Sequence, residues 1–574
     1  MRSRSAPRRR RTSPPVPARP AAGQRGSTLI VVLVVIVLLS LGVYTFTETM
    51  VMEREATAMA ARDAQARAFA ESGIEYAAAI LGLPDENISA NVYHNPQAFA
   101  GVMQIQGPTA RSTGRFTLVA PVETDPTATQ MRFGLMDESG KLNINVVATL
   151  DIEEIEQRQM LMYLPGMTEN VADAILDFID ADDEMREFGA ESDVYQTKPV
   201  PYDAKNGPLD SLDELLLVEG VIPAMLYGED ANHNGLLDAN ENDADASLPF
   251  DNADGLLDPG WQAFLTCYSR ERNTRADGSA RIDINQTLLT ELYDELAAEL
   301  GEDVATFVVA FRLNGATNVP QLEGVSSGVA SSGSQQADSA IQGIAQGIAK
   351  QVLRGSEGTV TRGGMDLSSG GSYKFASLYE LVGAEVEATI DGAKATLQSP
   401  WPADPSGLAT TLPPLFDTLA ISTAETIEGR INVNQARREV LYGIPNMPPE
   451  VADAIANSQQ VGGNGEPLAD QVAVRGTTGW LLINGIVTDS ADGTLTAISQ
   501  MRLLDKYITA RGDVYRVQAL GHFDQGGPVA RVEAILDATK LPATVKQHRD
   551  LSLLGAGYRV QSIPLPTTSP FAKQ

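Results

Sequence analysis

The chain has 574 residues, with 43 Lys and Arg against 74 Asp and Glu, four His and one Cys, for a formal net charge of −31. Such an acidic chain argues against nucleic-acid binding, which needs Lys and Arg to displace phosphate counterions. A single Cys267 excludes an intramolecular disulfide, and four His with one Cys leave no zinc cluster.

Residues 1–26 hold eight Arg and no acid, a basic leader that cannot build a core and is expected on the cytoplasmic side. At Ser27 the chemistry changes. Residues 27–46 are almost wholly apolar, with Leu29 to Leu39 an unbroken run of Leu, Ile and Val. About 20 apolar residues at about 1.5 Å rise cross a bilayer as a helix. The Arg cluster before it predicts an inner-membrane, single-pass orientation with the bulk of the chain periplasmic. No small-residue cleavage site follows, and helical sequence continues through residues 47–83. One long helix is predicted, apolar at its start and amphipathic after it.

The junction Gln24-Arg25-Gly26-Ser27-Thr28-Leu29-Ile30 resembles a prepilin peptidase site, which implies cleavage between Gly26 and Ser27. The alternative is a plain signal anchor. In most pilins the fifth mature residue is Glu, whereas here it is Val31. An unpaired carboxylate in a membrane is costly, so Val31 suits a subunit with no partner at that level.

Further along, a repeat emerges. Leu164-Pro165-Gly166-Met167 and Val171-Ala172-Asp173-Ala174-Ile175 recur as Ile444-Pro445-Asn446-Met447 and Val451-Ala452-Asp453-Ala454-Ile455, an offset of 280 residues. An Asn-x-Asn precedes each copy, at Asn143 to Asn145 and at Asn432 to Asn434, and a weaker third copy opens at Ile282-Asp283-Ile284-Asn285. Each copy reads as helix, tight turn, helix, the Pro-Gly or Pro-Asn supplying the turn. This is the helix-hairpin-helix pattern, but the first copy runs into Asp177, Asp180, Asp182, Asp183 and Glu184, a surface that would repel phosphate. A packing role is expected, not a DNA contact.

Asp137-Glu138-Ser139-Gly140-Lys141-Leu142-Asn143-Ile144-Asn145 resembles the "DESGKLNLN" signature of the minor pseudopilin K family of type II secretion (general secretion pathway protein K). Asp177-Phe178-Ile179-Asp180-Ala181-Asp182-Asp183, then Gly189-Ala190-Glu191 and Tyr195, is similar to its D-W-I-D-x-D … G-A-E … Y segment, with Phe178 for Trp. Lys205-Asn206-Gly207-Pro208-Leu209 through Leu212-Asp213-Glu214-Leu215-Leu216 is similar to a third stretch. The absent Glu at position five also resembles this family. The resemblance implies an α+β, type IV pilin-like fold: a long N-terminal transmembrane helix packed on an antiparallel sheet, with an inserted all-helical domain of helix-hairpin-helix or SAM-like repeats. It implies a structural role at the tip of the type II secretion pseudopilus, with other minor pseudopilins, the inner membrane, the prepilin peptidase and exported proteins as partners.

The predicted divisions are 84–150 for the first half of the pilin-like region, 151–228 for the first helical repeat and 229–260 for an acidic loop segment. A second repeat follows at 261–325, a Ser/Gly/Gln-rich insert at 326–371 and a third repeat at 372–498. Pilin-like C-terminal strands occupy 499–550, with a hairpin expected between 513–521 and 529–537, and 551–574 form a tail.

Within 229–260, oxygen-bearing side chains fall at positions 1, 3, 5, 9 and 12 of a loop: Asp230, Asn232, Asn234, Asp238 and Glu241. Gly235 stands at position 6, and Leu236 would offer its carbonyl. That spacing is the EF-hand-type calcium loop, in which a sharp turn lets six or more oxygens converge. Structural calcium is therefore the expected cofactor. Asp251, Asn252, Asp254 and Asp258, with Asp180 and Asp182, are weaker candidates, because Trp261 stands where the second loop needs Glu. The bland alternative is a solvated acidic loop. No P-loop or H-E-x-x-H occurs, and no enzyme is predicted. Alternative functions are a minor pilin of a surface type IV pilus, acting in adhesion or uptake, or a helix-hairpin-helix DNA-uptake protein.

Overall fold

The computed structural model describes residues 27–83, 92–125, 127–244, 246–319, 322, 328–329, 360–459, 474–560 and 563. The leader with Gly26, most of the Ser/Gly/Gln-rich insert and the end of the tail lie outside the described residues. Contacts divide the chain into two units, 1–62 and 63–574. Helix α1, Ser27–Leu81, belongs to both. In the first unit its apolar side chains are exposed throughout, Leu29 by 72% and Phe46 by 64%. Apolar surface of that size is stable in hydrocarbon and unfavourable in water. Among the described residues this is the one helix long and apolar enough to cross a membrane.

In the second unit, α1 buries Ala66, Phe69, Ala70, Ile74, Ala77 and Leu81, spaced as one helical face. That face lies on a sheet whose main strands are β1 (Val102–Ile105), β2 (Gly114–Pro121), β3 (Val514–Phe523), β4 (Ala530–Asp537) and β5 (Thr544–Asp550), in that spatial order and all antiparallel. Short strands Met131–Arg132 and Met136–Asp137 pair with β2 and β3. The helix comes close because side chains are missing where it touches. A Cβ on Gly73 would stand 3.1 Å from the Ala519 Cβ, and one on Gly521 would stand 1.8 Å from the Ala66 carbonyl oxygen.

The period of two along β3 and β4 puts Val517, Ala519, Val532 and Ala534 on the face toward α1. The opposite face then carries Arg516, Gln518, Arg531 and Glu533. Gln518, Arg531 and Glu533 are buried and the Arg516 side chain is only 14% exposed, because residues 138–141 and 232–234 lie over them. Arg516 donates to Glu138 at 2.8 Å and to Glu533 at 2.8 Å, and Lys141 pairs with Glu138 at 3.1 Å. The facing cations draw the Glu138 carboxyl down to about 2 despite its burial, which pushes the other way.

The inserted region is built from three modules around a second core. Each opens and closes with a two-residue parallel ladder: Leu142–Asn143 with Leu265–Thr266, Ile282–Asp283 with Leu419–Ala420, and Ile431–Asn432 with Ile508–Thr509. Two residues beyond each opening strand an Asn ties the module shut. Asn145 donates to the carbonyls of Leu209 and Cys267, Asn285 to those of Phe375 and Ile421, and Asn434 to those of Arg475 and Ala510. Within each module sits a helical hairpin: α2 (Glu154–Met162) with α3 (Glu169–Ile179), α4 (Leu289–Leu300) with α5 (Glu302–Asn314), and α6 (Arg438–Tyr442) with α7 (Pro449–Ser458). The turn residues Gly166, Gly301 and Asn446 have φ of +67°, +96° and +63°, where Gly and Asn are tolerated best.

The ladders group residues differently from the divisions read off composition. The second module runs from 282 to 420, across the expected boundaries at 325 and 372, because its closing strand lies beyond the insert. The C-terminal hairpin lies at 514–523 and 530–537, with β5 added as a third strand.

Candidate functional site

Residues 230–241 leave the first module and lie on the polar face of the sheet. The loop turns through two residues in the left-handed region, His233 (φ 58°) and Gly235 (φ 68°). Asp230, Asn234 and Glu241 are buried. Asp230 accepts from the backbone N–H of Asn234 at 3.0 Å and of Gly235 at 2.9 Å. Asn232 and Asn234 both donate to one oxygen of Asp238, at 2.7 and 3.0 Å. Glu241 accepts from the N–H of Ala231 and of Asp238, each at 3.0 Å. The N–H of Leu236 goes to the Asn234 side-chain oxygen at 2.6 Å, and its half-buried side chain packs against the pilin-like core cluster.

Burial pushes the Asp230 carboxyl up to about 6, against the backbone donors that favour its charge. Burial, with repulsion from Asp230 and Asp238, pushes Glu241 up to about 7. The Asn232 side-chain oxygen is buried with no hydrogen-bond partner. Crowded carboxylates, an orphaned amide oxygen and an all-oxygen donor set fit a hard cation such as calcium. Among the described residues no group of three or more His, Cys, Asp or Glu is placed to hold a metal ion. Asp230, Asp238 and Glu241 are thus not gathered as a three-carboxylate site in this structure, and calcium here would have to draw on the amide and carbonyl oxygens of Asn232, Asn234 and Leu236 as well.

The weaker candidates are engaged otherwise. Asp251 accepts from the N–H groups of Asp243, Ala244 and Ala253, which hold its carboxyl below the usual range although burial opposes them. Asn252 and Asp254 accept from the N–H two residues on, and Asp258 from that of Gly260. Asp182 does the same for Glu184 at 2.9 Å. Asp180 lies apart from these loops and is paired with Arg186, which also holds Asp177 at 3.0 Å.

Beside that pair is Glu191, buried with neither carboxylate oxygen partnered. Burial and then the charges of Asp177 and Asp180 push it up to about 7. The sequence singled out Glu191 as part of a motif, without the signal that its neighbours would be acids. Ser27 opens α1, and Val31 is 60% exposed in the apolar stretch. Gly26 lies outside the described residues.

These features define a mixed α/β protein with an apolar N-terminal helix able to anchor it in a membrane. Residues 140–227 match the family model described as type II secretion system (T2SS), protein K. The resemblance carried by the Gly140-to-Asn145 run, the Asp177-to-Tyr195 segment and the Lys205-to-Leu216 stretch is thereby shown, over the first helical module. No curated protein matches the chain. A solved structure, the GspK-GspI-GspJ complex from the enterotoxigenic Escherichia coli type 2 secretion system, matches at 11% identity. It covers 86% of this chain and 99% of that one, with a TM-score of 0.33.

Proposed function

We propose that this protein is a minor pseudopilin of type II secretion that acts as a structural subunit at the tip of the pseudopilus and assists export across the outer membrane. The family match over residues 140–227 carries this reading. In it, residues 27–46 cross the inner membrane, a prepilin peptidase cuts between Gly26 and Ser27, and the bulk of the chain is periplasmic. Other minor pseudopilins pack against α1, and exported proteins meet the head. Val31 supports the tip position, since a subunit with no neighbour above it gains nothing from a buried carboxylate there.

The loop 230–241 holds structural calcium in this reading. Asp230, Asn232, Asn234, the Leu236 carbonyl, Asp238 and Glu241 would be the ligands, and the ion would neutralise carboxylates that otherwise repel one another. Intact-mass analysis after co-expression with and without a prepilin peptidase tests the assignment. A chain beginning at Ser27, formed only with the peptidase, is expected. An uncut chain, or one cut elsewhere, would sink the reading and leave a signal-anchored protein.

A further inference from the structure

The backbone of the loop faces away from its acids and into the sheet. Three successive carbonyls, those of Asn232, His233 and Asn234, are each taken by a side chain from the C-terminal part of the chain. Arg531 of β4 donates to Asn232, the amide of Gln518 on β3 donates to His233 at 2.9 Å, and the Tyr558 hydroxyl donates to Asn234 at 2.9 Å. The same hydroxyl lies 3.0 Å from the side-chain oxygen of Gln518, whose nitrogen is also held by Glu533 at 2.8 Å. Asn234 in turn donates to the carbonyl of Gly557. His233 is a non-glycine residue in the left-handed region, a conformation that costs about 1 kcal/mol and persists where surroundings enforce it. Here they do, through Gln518 on its carbonyl and Tyr227 stacked on its ring at 4.9 Å.

We propose that Gln518 and Tyr558 are positioning residues of the cation site. Resting on the calcium reading above, the proposal is that they hold the 232–234 backbone in the turn that aims the Asn232 and Asn234 side chains inward. More than 280 residues separate them from the loop (233 to 518, 234 to 558), so the loop's spacing is necessary for the site and the sheet completes it. A loop held in its binding shape loses less conformational entropy on taking the ion, and loop rigidity is one of the terms that tune calcium affinity. By reciprocity the ion strengthens the hold on the segment around Gly557 and Tyr558.

Calorimetric titration of calcium chloride into the full-length protein in detergent, after stripping with chelator, tests this. Glu241→Gln identifies which binding event belongs to the loop, by abolishing it. Tyr558→Phe removes one hydroxyl, and Gln518→Leu removes the amide's contacts with His233, Glu533 and Tyr558. Each is expected to weaken that event about 10-fold or more, the range for residues that orient metal ligands. Melting of Tyr558→Phe in chelator should match the wild type, while its calcium-induced rise should shrink. Unchanged calcium affinity in Tyr558→Phe would overturn the positioning role and leave the calcium reading intact. Lower melting in chelator with a proportionate loss of binding would overturn it in favour of a plain packing role. A wild-type chain that takes no calcium, or whose binding survives Glu241→Gln, would overturn both. Should Gln518→Leu fail to fold, Tyr558→Phe decides alone.

Discussion

The hairpins α2/α3 and α6/α7 carry the same ion pair at the same spacing, Arg158 with Asp173 and Arg438 with Asp453, and put it in opposite surroundings. Asp173 is fully buried and meets Arg158 through two bonds of 2.7 Å. A third bond, of 3.1 Å, comes from the backbone N–H of Phe188, whose ring also lies under the guanidinium. Asp453 is 45% exposed in its side chain, and its Arg438 contact is a single one of 3.2 Å, supplemented by the Tyr442 hydroxyl at 2.6 Å. What separates the two is the acidic segment after α3, which Arg186 draws over the first hairpin by holding Asp177 and Asp180. In the second copy Asn457 stands in place of Asp177 and accepts from Arg438 instead. One sequence pattern therefore makes a buried, geometry-setting pair in one place and a solvated pair in the other.

Asp173→Ala should show the largest effect. It leaves the Arg158 charge without its buried partner, a loss of about 3–5 kcal/mol in chemical denaturation. A loss below about 1 kcal/mol would mean the cover over this hairpin is open in solution. Next comes Glu191→Gln, within that cover. The raised carboxyl binds its proton more tightly in the folded protein than in the unfolded chain. Its contribution to stability is therefore full below about pH 4.5, the ordinary value, and lost as the pH rises through about 7. The variant should gain about 2–4 °C over the wild type between about pH 5 and pH 8 in thermal melts. A constant difference would place Glu191 in water.

Gly166→Ala tests the turn shared by the two copies. No atom lies within 4 Å of the added methyl, so the cost is the left-handed backbone alone, about 1–2 kcal/mol. Asn446→Gly, at the matching position, should change stability by only a few tenths of a kcal/mol. A similarly small effect is expected from Asp453→Ala, about 0.2–1 kcal/mol and reduced by salt, as for exposed ion pairs. A salt-insensitive loss near that of Asp173→Ala would erase the distinction between the hairpins.

The N-terminal helix, both hairpin turns and the loop at 230–241 were all legible along the chain, because each is a local pattern. An unbroken run of Leu, Ile and Val has one low-energy environment, and Pro-Gly or Pro-Asn between apolar helical faces has one common conformation. The modules were harder to read, since Ile282 and Leu419 pair at a separation of 137 positions and two-residue strands leave no periodicity. The third strand β5 was missed for a related reason: Thr544 to Asp550 is mostly exposed and largely polar, an edge strand without an apolar face.

Local sequence was enough to establish which segment seeks hydrocarbon, where the repeats turn and which oxygens stand at calcium-loop spacing. Periodicity and turn chemistry act over a few residues, and they are written there. The tertiary structure settled what those residues meet. Arg516 and Glu533 would be surface charges on any half-exposed strand, and they are buried here because the insert covers the sheet's second face. The pairing of Gln518 and Tyr558 with the loop, the crowding of Glu191 by Asp177 and Asp180, and the contrast between Asp173 and Asp453 have the same origin. Burial and electrostatic environment depend on neighbours brought together from distant parts of the chain, and no short stretch of sequence records them.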